Sequence, residues 1–179
     1  MKSPMAFAVD PANASHIYVI AAGKWEPAHP SIDVLLFATS NAGVSWRQIH
    51  TFPYGQLVSL WAPTPGALYL WVSYPEMSVN GNPLQVSLDG GVTWRDITST
   101  GLALYSAYFS PSGQIVLLSG GYGQPTPTLE ELNPATGKLT PMGPLPPLAT
   151  DGFTAVVTGG AHPVFVIASS LATYVKTLP

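Results

Sequence analysis

The residues of this chain best suited to chemistry are its acidic side chains. Two carboxylates held about 5–9.5 Å apart can cleave a glycosidic bond, one as a general acid and the other as a nucleophile or base. Four acidic residues fall in polar stretches between apolar runs and could supply such a pair, although their spacing singles out no two of them: Glu26, Asp33, Glu76 and Asp151.

Metal and cofactor chemistry has little support in the sequence. The four histidines are scattered, and the only local pairing of a histidine with an acid is His29 with Asp33, which a polar loop explains more simply. The chain has no cysteine, so thiolate ligands and thiol nucleophiles are excluded. Neither a phosphate-binding glycine loop nor a Gly-x-Ser-x-Gly nucleophile motif occurs. The sequence therefore predicts no metal and no cofactor.

A recurring turn motif connects apolar runs of the chain and so positions the polar stretches between them. Ser87 to Trp94 reads Ser-Leu-Asp-Gly-Gly-Val-Thr-Trp, and a degenerate copy, Ser40 to Trp46, ends 48 residues earlier. Both copies lie between two apolar runs that favour β-strands. An Asp-Gly or Asn-x-Gly step at such a point predicts a hairpin, because glycine supplies the positive φ that the turn needs.

Each polar residue of the motif has a predicted structural role. The Asp89 carboxylate can accept hydrogen bonds from backbone N–H groups of its own turn, whereas a catalytic Asp89 would have to face a cleft. Trp46 and Trp94 are predicted to be large apolar anchors. The residues predicted to build the two turns are Ser40, Asn41, Gly43, Trp46, Ser87, Asp89, Gly91, Thr93 and Trp94.

The motif belongs to a longer repeat. Apolar runs and turns recur in the same order every 45–48 residues. In the third repeat, the segment from Asn133 to Gly137 stands in place of the turn motif. Four strands in each such period predict a β-propeller blade. We therefore predict an all-β chain, a propeller or partial propeller of four-stranded antiparallel blades, with three full blades and part of a fourth, at about 5–52, 57–98, 104–142 and 153–178.

The motif and its spacing resemble the Asp-box (BNR) repeat of sialidase-like β-propellers. The resemblance implies a single Asp-box β-propeller domain, or a fragment of one, over residues 1–179, bacterial and extracellular or at the cell surface. Propellers typically have about four to eight blades. Three explanations of the blade count remain: a fragment of a longer propeller, a small four-bladed ring, or an open array completed by another copy.

Propeller geometry then predicts a ligand face. Loops between the second and third strands of a blade, and crossings between blades, share one face, and the motif turns lie on the other. The predicted ligand-binding residues are Trp25, Glu26, His29, Asp33, Tyr54, Tyr74, Glu76, Tyr122 and Asp151. The alternative is that these are solvated loop residues and that the aromatic ones cap blade edges.

Composition restricts the function. Six basic residues and a net charge of −3 exclude a basic patch for nucleic acid, and no apolar run is long enough to span a membrane. A sialidase needs three arginines for its substrate's carboxylate, and this chain has two, Arg47 and Arg95. The leading hypothesis is a non-catalytic module or scaffold that binds protein or carbohydrate. The alternative is a glycoside hydrolase, sialidase-like or xyloglucanase-like, whose catalytic residues are incomplete in this chain.

Overall fold

All regular structure in the described part of the chain is β-strand. The computed structural model describes residues 4–25, 32–55, 57–73, 83–98, 102–110, 113–121, 127–143, 145, 153–158, 164–169 and 173–177. These residues contain fifteen strands and no helix. Accordingly, they include no helix long and apolar enough to cross a membrane.

The strands form four antiparallel sheets, each of them following chain order. Two sheets lie in unit 1, residues 1–101, and two in unit 2, residues 102–179. Sheet 1 contains β1 (Pro4–Val9), β2 (Ile17–Trp25), β3 (Ile32–Thr39) and β4 (Arg47–Gly55). Sheet 2 contains β5 (Leu57–Thr64), β6 (Ala67–Ser73), β7 (Leu84–Ser87) and β8 (Arg95–Asp96).

Unit 2 repeats the arrangement with one strand fewer. Sheet 3 contains β9 (Leu102–Phe109), β10 (Ile115–Gly121), β11 (Thr128–Leu132) and β12 (Leu139–Pro141). Sheet 4 contains β13 (Phe153–Thr158), β14 (Val164–Ser169) and β15 (Thr173–Thr177). The prediction of an all-β chain of antiparallel sheets, three with four strands and one partial, is confirmed.

The core of unit 1 lies between its two sheets. Along β2 the side chains alternate, so that Tyr18 and Ile20 are buried while Ile17 and Val19 are half-buried. Alternation is expected because successive side chains on a strand point to opposite faces of the sheet. Sheet 2 contributes buried leucines to the same cluster, among them Leu68 and Leu70.

The core of unit 2 has the same design. Val116 and Leu118 of β10 pack with Phe165 and Ile167 of β14, and all four side chains are fully buried. Tyr174 of β15 packs against this cluster. Each unit is therefore a pair of sheets with an apolar layer between them.

Turns of the two sheets in unit 1 are joined by a buried carboxylate. Asp10 begins the turn between β1 and β2, where its Oδ1 accepts a hydrogen bond from the Ala12 N–H at 2.8 Å. Its Oδ2 accepts a longer one, 3.4 Å, from the N–H of Gly66 in the β5–β6 turn. The Gly66 carbonyl in turn accepts from the Gly90 N–H at 2.9 Å. This chain of contacts holds three turns together at one end of unit 1.

Candidate functional site

Box turn 2, residues 87–94, connects β7 to β8 and is built around one carboxylate. The Ser87 hydroxyl donates to Asp89 Oδ1 at 2.7 Å and accepts from the Gly91 N–H at 2.8 Å. The same Asp89 oxygen accepts from the N–H groups of Val92 and Thr93, at 3.0 and 2.9 Å. Asp89 Oδ2 accepts from the Thr93 hydroxyl at 2.6 Å. Both carboxylate oxygens are thus engaged inside the turn.

These bonds determine the charge of Asp89. The Thr93 hydroxyl, then the Thr93 N–H and the Ser87 hydroxyl, lower the pKa of the Asp89 carboxyl well below its usual value. Hydrogen bonds donated to a carboxylate have this effect because they stabilise the ionised form. Asp89 is therefore an ionised turn-forming group, and its oxygens are occupied by the turn itself.

Box turn 1, residues 39–46, connects β3 to β4 with the same network and a neutral side chain. The Thr39 hydroxyl donates to Asn41 Oδ1 at 2.8 Å and accepts from the Gly43 N–H at 3.1 Å. Asn41 Oδ1 also accepts from the Ser45 N–H at 2.9 Å, and its Nδ2 donates to the Ser45 hydroxyl at 2.9 Å. An amide in place of the carboxylate keeps the geometry and loses the charge.

The first hydroxyl of box turn 1 comes from Thr39, whereas the sequence prediction assigned it to Ser40. Thr39 precedes Trp46 by seven residues, as Ser87 precedes Trp94 by seven. Ser40 is exposed and occupies the position equivalent to Leu88. Threonine carries the same hydroxyl as serine, so counting back from the tryptophan would have identified it.

A third turn uses the same chemistry without the tryptophan. In residues 133–137, between β11 and β12, Asn133 Oδ1 accepts from the N–H groups of Ala135 and Thr136 at 3.0 and 3.2 Å. Gly137 has a φ of 70° and donates its N–H to the Asn133 carbonyl at 2.8 Å. A side-chain oxygen therefore organises the turn between the third and fourth strands in each of the three four-stranded sheets.

Trp94 of box turn 2 packs on sheet 1. Its Nε1 donates to the Gly91 carbonyl at 3.0 Å, which fixes the indole over its own turn. The indole meets the ring of Phe52 edge to face, with centroids 5.3 Å apart, and lies 6.2 Å from the imidazole of His50. Burial lowers the pKa of His50, so the neutral ring is favoured.

Trp46 of box turn 1 has a different environment. Its side chain is 43% exposed and lies over Gly43, where a Cβ would come within 3.5 Å of the indole. Two surface depressions meet at this indole. The polar depression, about 340 Å³, is lined by residues of both box turns and of adjoining parts of unit 1, including His16, Tyr18, Trp46, Arg47 and Asp89. The apolar depression, about 440 Å³, is lined by Met5, Phe7, Ile17, Val19, Gly43 and Trp46.

The polar depression offers several distinct kinds of contact. Burial, and then the charge of Asp10, raise the pKa of Tyr18, so its hydroxyl stays protonated and can donate a hydrogen bond. Arg47 is exposed and makes no ion pair with another residue of the described chain. An indole face, a guanidinium and hydroxyl groups together suit a polar ligand with an apolar surface. Sequence reasoning placed the box turns on the side away from any ligand and so missed this depression.

Three of the predicted ligand-face residues lie at the opposite end of sheet 1. Asp33 is in β3 and not in the predicted loop, because β2 and β3 continue past the apolar runs and pair Trp25 with Ile32. Asp33 packs closely on Gly23, where an added Cβ would lie 2.8 Å from the Asp33 Cβ. Ile32 also pairs with Gly55, which brings the backbones of Trp25, Asp33 and Tyr54 to one sheet end.

The other predicted ligand-face side chains lie outside the described part of the structure. The side chains of Trp25 and Tyr54 are outside the described part of the structure. So are six whole residues: Glu26, His29, Tyr74, Glu76, Tyr122 and Asp151. Within the described ranges, no three histidine, aspartate or glutamate side chains are grouped so as to hold a metal ion.

Comparison with known proteins identifies the fold. No protein-family profile matches the sequence, and no curated protein matches it. Among solved structures, oligogalacturonate lyase from Vibrio parahaemolyticus is 13% identical, covering 96% of this chain and 52% of its own, with a TM-score of 0.64. A xyloglucanase from Xanthomonas campestris is 16% identical over 99% of this chain and 38% of its own, with a TM-score of 0.51. A chain of a nidogen–laminin complex is 14% identical over 97% of this chain and 80% of its own, with a TM-score of 0.53.

At these identities the likeness establishes the fold alone. The matched structures are β-propellers, and they include enzymes and a protein in complex with another protein. The chain spans about half the length of the lyase, 52%, and 38% of the xyloglucanase. The predicted propeller fold is confirmed.

Proposed function

We propose that this chain is a non-catalytic Asp-box (BNR) propeller module, related to the sialidase-like propellers, that binds a carbohydrate or protein ligand outside the bacterial cell or at its surface. The Asp-box assignment rests on the Ser–Asp–Thr network of box turn 2 and on the matching Thr–Asn–Ser network of box turn 1. The same network assigns Asp89 a structural role in the turn, because both of its carboxylate oxygens are already bound.

The observation that carries the binding role is the polar depression beside Trp46. The Trp46 indole is 43% exposed in box turn 1. The equivalent indole of box turn 2, Trp94, is packed against Phe52 and hydrogen-bonded. An indole left open beside Arg47 and the Tyr18 hydroxyl provides both stacking and hydrogen bonding. Sites of this size, about 300–1,000 Å³ with a few directed polar groups, commonly bind small ligands or short segments.

We include the predicted ligand face in this proposal as a second region of contact with the ligand. The backbones of Trp25, Asp33 and Tyr54 share the far end of sheet 1, and aromatic and acidic residue types suit a sugar or peptide. The other members of this predicted region are Glu26, His29, Tyr74, Glu76, Tyr122 and Asp151.

A glycan array and a peptide array, each probed with the full chain, test the binding role. For a ligand found this way, Trp46→Ala and Arg47→Ala are expected to weaken binding at least tenfold, in line with the loss of an interface anchor. Leu88→Ala removes another exposed apolar side chain of unit 1 and is the matched control. Binding that survives both Trp46→Ala and Arg47→Ala would place the ligand elsewhere.

The alternative is a glycoside hydrolase, favoured by the xyloglucanase among the matched structures and by the position of Asp33 in the strand pair that ends at Trp25 and Ile32. A chromogenic-glycoside screen of the intact chain decides between the two. A non-catalytic module is expected to show no turnover on any glycoside in this screen. Turnover that is lost in Glu26→Gln or Asp33→Asn would establish the enzyme and overturn the non-catalytic role.

A further inference from the structure

The polar depression of unit 1 contains a hydroxyl that the fold leaves unused. Tyr18 is only 7% exposed, and within the described chain its hydroxyl has no hydrogen-bond partner. This hydroxyl is not sealed in the core, because Trp71 Nε1 is the one described side-chain nitrogen or oxygen that is both buried and unpartnered. A Cβ added at Gly90, which also lines the depression, would lie 3.5 Å from the hydroxyl. The hydroxyl of a buried ring therefore opens into the depression.

Arg47 and Trp46 add further donors to the same depression. The Arg47 guanidinium is exposed and has no ion pair within the described chain. Trp94 Nε1 donates to the Gly91 carbonyl, whereas Trp46 Nε1 makes no hydrogen bond to a described residue. Asp89 lines the depression too, but donors of its own turn already occupy both of its carboxylate oxygens. A ligand here meets more free donors than acceptors, which favours an anionic acceptor such as a carboxylate.

The apolar depression begins on the other side of the same indole. No described residue that lines it has a polar side chain, and the lining includes Phe7 from β1 and Ile17 and Val19 from β2. Phe7 is 72% exposed, so an apolar group that binds here removes apolar surface from water. The indole of Trp46 thus separates a donor-rich depression from an apolar one.

The pairing of these two depressions discriminates between classes of ligand. A sugar ring can stack on an indole and accept hydrogen bonds, but it has no large apolar group to fill a depression of about 440 Å³. A peptide can carry a carboxylate and a large apolar side chain on nearby residues. Tryptophan, tyrosine and arginine are also the residue types enriched at the centres of protein–protein interfaces. The two depressions together fit a peptide better than a carbohydrate.

We infer that the ligand of this site is a peptide segment of a partner protein that binds across Trp46, with a carboxylate at Arg47 and the Tyr18 hydroxyl and a large apolar side chain against Phe7. One indole separates the two depressions, and an extended peptide rises about 3.3 Å per residue. The acidic and the apolar residue therefore lie within about four positions of each other. This inference rests on the proposed binding role of the polar depression and selects a peptide as its ligand.

Selection of random displayed peptides on the full chain tests the class of ligand. Enriched sequences are expected to share an aspartate or glutamate within about four positions of a large apolar residue, and to lose binding in Trp46→Ala. Enriched peptides that depend on Trp46 but contain no acidic residue would overturn the inference and leave the proposed binding role intact. The same conclusion follows if only the glycan array yields a ligand that depends on Trp46. If no peptide and no glycan depends on Trp46, the inference and the binding role both fail.

Exchanging the acid of an enriched peptide for the matching amide tests the contact with Arg47. The exchange is expected to weaken binding to the native chain about tenfold or more, and binding to Arg47→Gln by less than about threefold. Arg95→Gln is the matched control, in which the tenfold loss should persist. Arg95 follows Trp94 as Arg47 follows Trp46, but it does not line the depression. Equal losses in Arg47→Gln and the native chain would overturn the inference.

Tyr18→Phe removes the hydroxyl and keeps the buried ring. It is expected to weaken binding of the acidic peptide about fivefold, because it removes one hydrogen bond to a charged group. The melting temperature should not fall, since the hydroxyl has no partner to lose in the described chain. A lower melting temperature with unchanged binding would assign the hydroxyl to the fold and overturn its place in the site.

Exchanging the large apolar residue of the peptide for alanine tests the apolar contact. The exchange is expected to weaken binding to the native chain about tenfold, and binding to Phe7→Ser by less than about threefold. Leu88→Ser is the control, because Leu88 is similarly exposed, at 68%, and does not line the apolar depression. A loss as large in Phe7→Ser as in the native chain would show that the peptide does not cross Trp46, which contradicts the inference.

Discussion

Phe52 of β4 and Trp94 of box turn 2 meet edge to face, with ring centroids 5.3 Å apart and planes at 79°. Aromatic pairs favour this geometry because the positive edge of one ring faces the negative face of the other. The contact ties a turn of sheet 2 to the last strand of sheet 1, so box turn 2 stabilises the packing of neighbouring sheets as well as its own hairpin.

Trp94→Ala is expected to lower the free energy of unfolding by about 2–4 kcal/mol, since it removes this contact and the bond to Gly91. Trp46→Ala, at 43% exposure, is expected to cost less than about 1 kcal/mol. Urea denaturation at low protein concentration measures both. Equal losses would contradict the difference in environment.

Gly91→Ala is expected to be among the most destabilising changes in unit 1. Gly91 has a φ of 91°, and a Cβ there would lie 2.7 Å from Ile49 Cδ1 and 3.0 Å from Leu36 Cδ2. Backbone strain and overpacking together predict a loss of about 2–5 kcal/mol.

Gly66→Ala is the control for Gly91→Ala, because it separates strain from crowding. Gly66 has a φ of 72° and nothing within 4 Å of an added Cβ, so strain alone predicts about 1–2 kcal/mol. Comparable losses in the two variants, measured by denaturant unfolding, would mean that the packing around Gly91 yields easily.

Asp89→Asn is expected to reduce the sensitivity of the fold to acid. The hydrogen bonds from Thr93 and Ser87 hold the pKa of Asp89 below its unfolded value of about 4. The stability due to ionised Asp89 is therefore fully present above about pH 4 and is lost as the pH falls below that value. Between pH 7 and pH 3, the melting temperature should fall less in Asp89→Asn than in the native chain.

Asp96→Asn is the control for removing one negative charge, since Asp96 is exposed and accepts a side-chain bond from Gln85. At pH 7, Asp89→Asn itself is expected to be mild, because Asn41 shows that an amide can make this turn. A native-like acid response in Asp89→Asn would show that the carboxylate contributes nothing through its charge.

His50→Phe is expected to remove a second pH dependence. Burial lowers the pKa of His50 in the folded chain, so the unfolded chain binds the proton more readily. Stability should therefore decline as the pH falls through about 6.5, the ordinary histidine value, until the folded group also titrates. Melting curves between pH 7.5 and about pH 5 measure the slope, and His16→Gln controls for removal of a histidine elsewhere in unit 1. An unchanged slope in His50→Phe would contradict the assignment.

The sequence alone predicts the all-β fold, the antiparallel sheets and the turns. These features depend on short-range physics: alternating apolar residues, glycines that tolerate positive φ, and a side-chain oxygen within four residues of its donors. The Asp89 network closes within box turn 2, which is why its chemistry can be inferred from a few letters.

The candidate site was less predictable because it depends on contacts between distant segments. Asp33 was expected in a loop and lies in β3, since pairing between β2 and β3 continues after the apolar pattern ends. The polar depression combines box turn 2 with Tyr18 and Arg47 of sheet 1, and no local pattern links these residues.

The two tryptophans mark the boundary between what the sequence determines and what only the tertiary structure decides. Trp46 and Trp94 stand in nearly the same local sequence, which determines that each follows a hydrogen-bonded turn. Trp94 packs on Phe52 because sheet 1 lies beside its turn, while Trp46 is 43% exposed between two depressions. Burial depends on which sheet packs against a face, and that is a property of the folded chain as a whole.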